Sequence, residues 1–372
     1  MVESRASACE PAAIELWSAS VASGPESVKL GGTALSDENQ HVVLRGRPDP
    51  SVRADLFEPV ETDMPRIADG QMLIRVIWLS LEPAMRGWIA DAPNYSEPVP
   101  IGAPMTGFTV GEVVDSRHPG YPVGTIVQGR QGWRRFAVSD GSDIDRVVDP
   151  SLAPISTALH VLGMNGATAY VGLVDVCRVK AGDTVVVTTA AGSVGSVVGQ
   201  IAKVMGARAV GVTGGPDKVR ACLEEFGFDA AVDYKAADDI GPGLDAAAPD
   251  GIDCFFDSVG ADQFDAVLDR INVGARIAIC GTIGMPSFPL PMGPRPNRQL
   301  LVKRARMEGF LILDHYDRFN EIVGRLAGWY RDGHLKYRED VTIGLDNAAD
   351  ALIRLLTGQN TGKALVRVGA DP

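Results

Sequence analysis

The 372-residue chain is long enough for two domains, and its 45% hydrophobic and 22% charged residues are typical of a folded globular protein. No apolar run could span a bilayer, and a formal net charge of −12 without a long basic block argues against a nucleic-acid partner. The first residues lack the basic and apolar segments of a secretory signal, so we expect a cytoplasmic protein with no membrane partner.

The first half of the chain is predicted to be rich in β-structure. Residues 1–38 are rich in Ser, Ala and Gly and form a predicted N-terminal extension without clear periodicity. Over residues 39–163, short β-like runs alternate with Gly and Pro turns, as in His41–Arg45, Met72–Leu79, Val110–Val114 and Thr125–Val127. These runs predict an antiparallel, barrel-like domain.

Residues 164–334 are predicted to form a doubly wound parallel sheet, because strands and helices alternate along them. The predicted strands are Thr184–Thr188, Ala209–Thr213, Ile252–Phe256, Arg276–Cys280 and Gly309–Leu313. The predicted helices are Val194–Met205, Lys218–Phe226, Phe264–Ile271 and Phe319–Arg331. Residues 335–372 return to β-like and short helical pieces, so we expect them to rejoin the first domain and to leave a ligand-binding cleft between the two.

A tight turn after the strand Thr184–Thr188 is the strongest local signal of a dinucleotide site. Gly192 and Gly195 allow the backbone to approach a pyrophosphate closely, and the amides that begin the following helix are suitable donors. The first glycine of the usual G-x-G-x-x-G pattern is replaced by Ala190, so the turn alone is equally compatible with an ordinary strand-to-helix connection. The predicted cofactor-binding residues here are Ala191, Gly192, Ser193, Val194 and Gly195.

The end of the next predicted strand favours NADP(H) over NAD(H). An NAD-preferring site places an acidic residue there, whereas Thr213 is followed by Gly214 and Gly215. Lys218, in the first turn of the next helix, could neutralise a 2′-phosphate, although an ordinary surface lysine is the alternative. Asp217 is expected to cap that helix rather than to bind a ribose. Thr213, Gly215 and Lys218 are therefore predicted cofactor-binding residues.

Five stretches of the sequence resemble one branch of the zinc-free medium-chain dehydrogenase/reductase superfamily. They are Leu79–Trp88, Ala190–Gln200, Gly227–Lys235, Arg276–Gly281 and Gln359–Lys363. Together they resemble the leukotriene B4 12-hydroxydehydrogenase/prostaglandin reductase branch, in particular its curcumin-reductase-like, NADP-dependent members, over about residues 40–368. The resemblance implies a Rossmann doubly wound parallel sheet, a GroES-like antiparallel β-barrel catalytic domain, bound NADP and a homodimer.

The resemblance also implies further cofactor contacts. Lys218 is expected to meet the 2′-phosphate, Tyr234 to border the adenosine, and Asn360 to hold the cofactor near the cleft. The stretch that enters the Rossmann domain is expected to contribute Asn165, Gly166 and Thr168, and the nicotinamide side to involve Cys280, Gly281, Thr282, Ile283, Phe310 and Leu311. Two positions depart from the family's usual pattern. Asn165 replaces a proline, and Ser258 replaces an asparagine but can still form hydrogen bonds through its shorter hydroxyl side chain.

No catalytic metal is expected. Zinc-dependent relatives need Cys, His and carboxylate ligands, whereas His41, His118 and His160 in the β-rich domain have neither ligand spacing nor a cysteine among them. We interpret these histidines as structural or surface residues. The five cysteines include no CxxC pair, which also argues against a disulfide framework.

The lack of metal-ligand patterns in the sequence favours conjugate reduction over direct carbonyl reduction. Hydride would add to the β-carbon of an enone, and hydrogen-bond donors would stabilise the enolate. Tyr95, in a Pro-rich loop, is the predicted phenol donor, because Gly284–Pro286 lacks the tyrosine that some relatives carry after the Cys-Gly segment. An exposed loop tyrosine is the alternative for Tyr95. Arg86 is expected to be structural or near the cofactor rather than catalytic.

The sequence therefore predicts NADPH-dependent reduction of the carbon–carbon double bond of α,β-unsaturated ketones and aldehydes. The apolar loop Met285–Met292 favours hydrophobic substrates if it lines the cleft, and packing between subunits is its alternative. Two other interpretations remain open. The protein could be an NADPH:quinone or enoyl-thioester reductase on the same fold, or a non-catalytic NADPH-binding protein.

Overall fold

The computed structural model describes residues 38–92, 94–285 and 292–372. Residues Glu38–Pro372 belong to one compact unit, and three β-sheets are found among the described residues. The predicted extension over residues 1–38 lies outside the described residues except for Glu38, where the first strand begins. No helix among the described residues is long and apolar enough to cross a membrane.

Two sheets are built from the first part of the chain and its last residues. Strands β1 (Glu38–Leu44) and β2 (Phe57–Asp63) form an antiparallel pair. The seven-stranded sheet contains β3 (Met72–Ser80), β4 (Thr109–Ser116), β5 (Ile126–Gly129), β6 (Phe136–Ser139), β7 (Ile144–Val147), β14 (Glu339–Ile343) and β15 (Lys363–Arg367). Its order is β14-β15-β3-β4-β5-β7, with β6 paired to β3, and its strands are antiparallel except for the pair β14–β15.

The third sheet has six strands, all parallel. They are β8 (Thr184–Thr188), β9 (Arg208–Thr213), β10 (Ala230–Asp233), β11 (Ile252–Asp257), β12 (Ile271–Ile279) and β13 (Arg306–Gly309). The order is β10-β9-β8-β11-β12-β13, so the chain winds outwards in both directions from the central pair β8 and β11. This confirms the predicted doubly wound sheet and places its topological switch point between the carboxyl ends of β8 and β11.

The described residues contain nine α-helices. They are α1 (Met85–Trp88), α2 (Met164–Tyr170), α3 (Ser193–Val204), α4 (Pro216–Arg220), α5 (Gly241–Ala247), α6 (Ala261–Leu268), α7 (Asn297–Lys303), α8 (Phe319–Arg331) and α9 (Ala348–Leu356). Helices α2 and α4 each continue into a π-helical turn, Val171–Val176 and Ala221–Glu225. Short 3₁₀ turns lie at Ala54–Leu56, Ile155–Leu159, Ile312–Arg318 and Leu345–Asn347.

Burial explains why these elements form where they do. Strand β8 is a continuous apolar run because helices cover both faces of a parallel sheet, and the side chains of Val185, Val186 and Val187 have no exposed surface. Helix α8 instead buries one stripe, formed by Phe319, Ile322, Val323 and Leu326. Both elements begin and end at the predicted residues.

The predicted strand Gly309–Leu313 is wrong. The edge strand β13 ends at Gly309, and the next residues turn into a 3₁₀ segment. The apolar residues after Gly309 are there for packing: the Phe310 ring meets Phe256 edge-on at 6.1 Å, beside Gly172. An apolar run of this length has the same pattern whether it pairs in a sheet or packs against a helix.

Candidate functional site

The turn between β8 and α3 lies at the switch point. A Cβ atom on Gly195 would lie 2.4 Å from the Thr189 carbonyl oxygen, so only glycine fits there. Ala190 is fully buried and replaces the first glycine of the fingerprint. Its methyl group is accommodated because the facing residue on β9 is Gly211, where a Cβ would lie 2.7 Å from the Ala190 Cβ.

The first turn of α3 offers backbone donors. Gly192 is the N-cap residue, and the Ser196 amide is the first to bond inside the turn, to the Gly192 carbonyl at 3.0 Å. The amides of Ser193, Val194 and Gly195 therefore have no partner within the helix. Together with the positive end of a 12-residue helix, they form a suitable site for a pyrophosphate.

His160 supports this turn from the β-rich part of the chain. The imidazole is fully buried, and its Nε2 lies 3.1 Å from the Ser193 carbonyl oxygen. Burial lowers the pKa of His160 from 6.5 to about 3, and the nearby Lys363 charge acts in the same direction. The imidazole is therefore neutral at physiological pH and donates through Nε2–H.

This burial predicts a pH-dependent stability. The unfolded chain binds a proton at His160 below its ordinary pKa of 6.5, whereas the folded chain does so only near 3, so the contribution is complete above 6.5 and is lost as the pH falls. Between about pH 7 and pH 5, the free energy of unfolding should fall by about 2 kcal/mol more in the wild type than in His160→Gln. Urea unfolding at both pH values measures this. His118→Gln, at a ring that contacts Tyr121, is the control, and equal pH dependence of wild type and His160→Gln would contradict the assignment.

The end of β9 is shaped by two glycines. Gly215 has a φ of +92° and is the N-cap residue of α4, and its amide donates to the Asp233 carboxylate at 2.8 Å. The predicted capping role of Asp217 is wrong, because Asp217 lies inside the first turn and pairs with Arg220. No acidic side chain follows Thr213 directly, since Gly214 and Gly215 come next.

Cationic and aromatic groups meet beside these glycines. A Cβ on Gly214 would lie 2.8 Å from the Tyr234 ring, so the ring packs directly on the Gly214 backbone. The Lys218 Nζ donates to the Gly358 carbonyl at 2.8 Å, and burial lowers the pKa of Lys218, as does the charge of Lys235. Two ammonium groups and a phenol thus lie together where a 2′-phosphate would carry the compensating charge.

The segment after β12 forms the other side of the switch point. The buried Asp257 carboxylate accepts hydrogen bonds from the amides of Val259 and Gly260 and from the Thr188 hydroxyl, at 3.0, 2.9 and 2.9 Å. The Cys280 amide donates to the Asp257 carbonyl at 2.8 Å. Burial raises the pKa of the Cys280 thiol to about 12, so this thiol stays neutral.

The predicted nicotinamide-side residues are held by this network. The Gly281 amide donates to the Asp257 carbonyl at 3.3 Å, and the Ile283 amide donates to the Ser258 carbonyl at 3.1 Å. The Ser258 hydroxyl is buried and has no hydrogen-bond partner among the described residues. Because the Phe310 ring points into the core, main-chain groups are left for the predicted contact at Phe310.

Arg86 joins the β-rich part of the chain to this segment. From α1, its guanidinium donates to the carbonyls of Ile283 and Met285, both at 3.0 Å, and to that of Thr282 at 3.4 Å. A planar guanidinium with several donors suits such a multiple contact. Arg86 therefore holds the loop in place beside the switch point.

Tyr95 lies near the same segment. Its side chain is 49% exposed, and its amide donates to the Asn94 side chain at 2.8 Å. Burial of part of the ring raises the pKa of the phenol, a hydrogen bond with Trp88 lowers it, and Glu82 and Cys280 lie close enough to act on it electrostatically. The phenol is therefore within electrostatic reach of both residues and keeps its proton at neutral pH.

The stretch that enters the parallel sheet is tightly packed. A Cβ on Gly166 would lie 2.0 Å from the Val161 carbonyl oxygen, and the Thr168 hydroxyl donates to the Met164 carbonyl at 2.8 Å. The Thr168 hydroxyl is thus used within its own helix. Asn360 is buried, and its side-chain amide donates to the Gly362 carbonyl at 2.7 Å.

Among the described residues, no group of three or more His, Cys, Asp or Glu side chains could hold a metal ion. Of the three histidines in the β-rich part, His41 lies in β1, His118 contacts Tyr121, and His160 bonds to Ser193. Pro93 and residues 286–291 of the apolar loop Met285–Met292 lie outside the described residues.

Comparison with known proteins agrees with this geometry. Residues 40–147 match the model of the N-terminal domain of oxidoreductase, and residues 193–328 match the zinc-binding dehydrogenase model. The chain is 42% identical over 339 residues to the NADPH-dependent curcumin reductase of Escherichia coli (strain K12), covering 90% of this chain and 98% of that protein. The chain belongs to the curcumin and prostaglandin reductase branch of the medium-chain dehydrogenase/reductase family.

Other members of this branch are similar over most of their length. Prostaglandin reductase 1 of Oryctolagus cuniculus is 40% identical over 317 residues, covering 83% of this chain and 87% of that protein. (+)-Pulegone reductase of Mentha piperita is 34% identical over 341 residues, covering 90% and 99%. The crystal structure of CurA from Vibrio vulnificus in complex with NADPH aligns with a TM-score of 0.84 at 42% identity, covering 89% of this chain and 100% of that chain. The predicted family and fold class are thereby confirmed.

Sequence reasoning missed the partners of three side chains that organise the site. The contacts of Glu82, Lys363 and His160 all join residues far apart in the chain. A charged residue two positions after the apolar strand β3 is a signal for Glu82, and a lysine that begins the apolar strand β15 is one for Lys363. Neither pattern indicates which residue the side chain contacts.

Proposed function

We propose that this protein uses NADPH to reduce the carbon–carbon double bond of apolar α,β-unsaturated ketones and aldehydes. The observation that carries the proposal is the switch point itself, where the first turn of α3 offers free amides and Arg86 holds the facing segment through the carbonyls of Ile283 and Met285, both at 3.0 Å. The names of the relatives support it, since they are reductases of curcumin, prostaglandin and pulegone at 34–42% identity.

The residues present fit NADPH. The turn at Gly195 and the free amides of α3 suit a pyrophosphate, and the ammonium groups of Lys218 and Lys235 suit a 2′-phosphate. Two buried oxygens, Asn165 Oδ1 and Ser258 Oγ, have no partner among the described residues, which is expected of groups that contact a ligand. When bound, NADPH supplies the hydride that adds to the β-carbon of the substrate.

In this mechanism Tyr95 acts on the substrate's oxygen. As the double bond is reduced, negative charge develops on the carbonyl oxygen, and a neutral phenol can donate a hydrogen bond to it. The raised pKa of Tyr95 keeps that donor protonated. Protonation of the enolate at the α-carbon then gives the saturated ketone or aldehyde.

A substrate panel tests the proposal. Purified protein should oxidise NADPH in the presence of phenyl-substituted enones or alkenals, faster than with quinones or an enoyl thioester, and mass spectrometry should show a product that has gained two hydrogens. Preference for quinones or thioesters would replace the proposed substrate class. NADPH binding by fluorescence without turnover of any compound would instead support a non-catalytic role.

We further propose a cytoplasmic homodimer. The edge strand β13 has no neighbour on its outer side among the described residues, and Met307 on it is 38% exposed. Leu301 and Val302 on α7 are 78% and 50% exposed nearby in the chain, so this edge offers an apolar surface for a second copy. Light scattering of the purified protein tests the dimer, and cell fractionation tests the location.

A further inference from the structure

A buried charged cluster lies under the candidate site. The Lys363 Nζ donates to the Glu82 carboxylate at 2.6 Å and to the Leu81 carbonyl at 3.0 Å, and the Ser80 hydroxyl donates to the same carboxylate oxygen, Oε1, at 2.6 Å. The side chains of Lys363 and Glu82 are 1% and 11% exposed. One carboxylate oxygen of Glu82 is thus fully occupied, and the other, Oε2, is left for a different donor.

That donor is Asn165, at the start of α2. Its Nδ2 lies 3.4 Å from Glu82 Oε2, at the long end for a hydrogen bond. A carboxylate only accepts hydrogen bonds, so Asn165 must turn its NH₂ group towards Glu82 and its Oδ1 away. Asn165 is 5% exposed, and its Oδ1 has no partner among the described residues. A buried acceptor without a donor is costly unless a ligand supplies one.

The surroundings of Asn165 indicate which ligand this is. The Glu82 carbonyl accepts from the Met85 amide at 3.0 Å where α1 begins, and Arg86 on α1 donates to the segment after Cys280 at 3.0 Å, so Asn165 borders the predicted nicotinamide side. An enone or enal offers only an acceptor, its carbonyl oxygen, and the Asn165 oxygen would repel it. A nicotinamide carries a carboxamide NH₂ group, which is a donor present in every turnover.

We propose that Asn165 Oδ1 accepts a hydrogen bond from the nicotinamide carboxamide and that Glu82, held by Lys363, is the residue that positions it. This inference rests on the proposed use of NADPH. It assigns Asn165 to cofactor recognition at one atom, and it gives the buried ion pair a positioning role rather than a catalytic one.

An analogue of NADP⁺ that carries an acetyl group in place of the carboxamide tests the contact, because it keeps the carbonyl attached to the ring but has no N–H donor. The measured quantity is the ratio of the two dissociation constants, obtained by calorimetry without substrate. In Asn165→Ala, the wild-type preference for NADP⁺ over the analogue should shrink about tenfold. In the control Asn39→Ala, which removes a buried asparagine bonded to Phe136 of β6, the preference should stay at the wild-type value.

Glu82→Gln gives a sharper test of the positioning role. The glutamine oxygen should keep the bonds to Lys363 and Ser80, which leaves its NH₂ group facing Asn165. Asn165 should then turn its oxygen towards residue 82 and its NH₂ group towards the cofactor. The preference for NADP⁺ should therefore shrink at least as much as in Asn165→Ala, although the asparagine itself is intact.

Three results would overturn the inference while leaving NADPH use in place: an unchanged ratio in Asn165→Ala, an unchanged ratio in Glu82→Gln, or an equal change in Asn39→Ala. If Asn165→Ala does not fold, Asn165→Pro serves instead, because proline is tolerated in the first turn of a helix. Failure of the wild type to bind either compound would instead refute the proposed function itself.

Discussion

Replacing Tyr95 with phenylalanine is expected to lower kcat for an enone about a hundredfold, because removal of one positioned donor or acid at a developing charge has an effect of this order. The change removes a single oxygen from a side chain that is 49% exposed, so folding should be unaffected. NADPH affinity should stay at the wild-type value, since the phenol is assigned only to the substrate's oxygen. Steady-state kinetics with saturating enone, together with fluorescence titration of NADPH, separate these two quantities.

Tyr121→Phe is the matched control for this experiment. Tyr121, between β4 and β5, packs against His118 and against the apolar cluster that contains Met72 and Val113. Its loss should leave kcat unchanged. Equal kcat in Tyr95→Phe and wild type would remove Tyr95 from the mechanism, whereas a parallel loss of NADPH affinity would assign it to cofactor binding.

Replacing Lys218 with alanine is expected to weaken NADPH binding by about 10- to 100-fold while leaving NADH binding nearly unchanged. A charge-assisted hydrogen bond to a phosphate has this magnitude, and NADH lacks the 2′-phosphate. Lys218 suits the role because its ammonium already lies beside Lys235 and Tyr234, where an anion relieves the repulsion between like charges. Dissociation constants for both cofactors, measured by fluorescence, give the result.

Lys203→Ala is the control, because Lys203 pairs with Asp229 at 2.6 Å on another part of the parallel-sheet region. It should leave both dissociation constants unchanged. Lys218→Ala also loses the bond to the Gly358 carbonyl, so thermal unfolding should be compared in parallel. Equal weakening of NADPH and NADH would mean that the lysine maintains the structure and does not select the cofactor.

Local sequence patterns predicted much of the fold. Strand β8 and helix α8 match because a buried apolar run and a 3.6-residue stripe are both strong signals. The prediction at Gly309–Leu313 failed because a run of four apolar residues has the same pattern whether it pairs in a sheet or packs against a helix. The boundaries between predicted domains remain predictions, since the described residues form one compact unit.

The candidate site also contains residues that local sequence patterns could predict and contacts that they could not. Gly192, Gly195 and Lys218 belong to local patterns of a turn and a helix start, so sequence reasoning could propose them, and their cofactor roles stay predictions. Glu82 and Lys363 are 281 positions apart, and Glu82 and Asn165 are 83 apart. Such pairs exist only once the sheets are assembled, so no spacing rule in a single sequence can reveal them.

The facing pair Ala190 and Gly211 changes how the glycine fingerprint should be understood in this chain. The turn and the neighbouring strand have room for one methyl group between them, and here the turn carries it. The geometry requires that one of the two facing positions, Ala190 in the turn or Gly211 on β9, carries no methyl group. A search for the strict G-x-G-x-x-G pattern would therefore miss this turn, although the turn has the packing that the pattern describes.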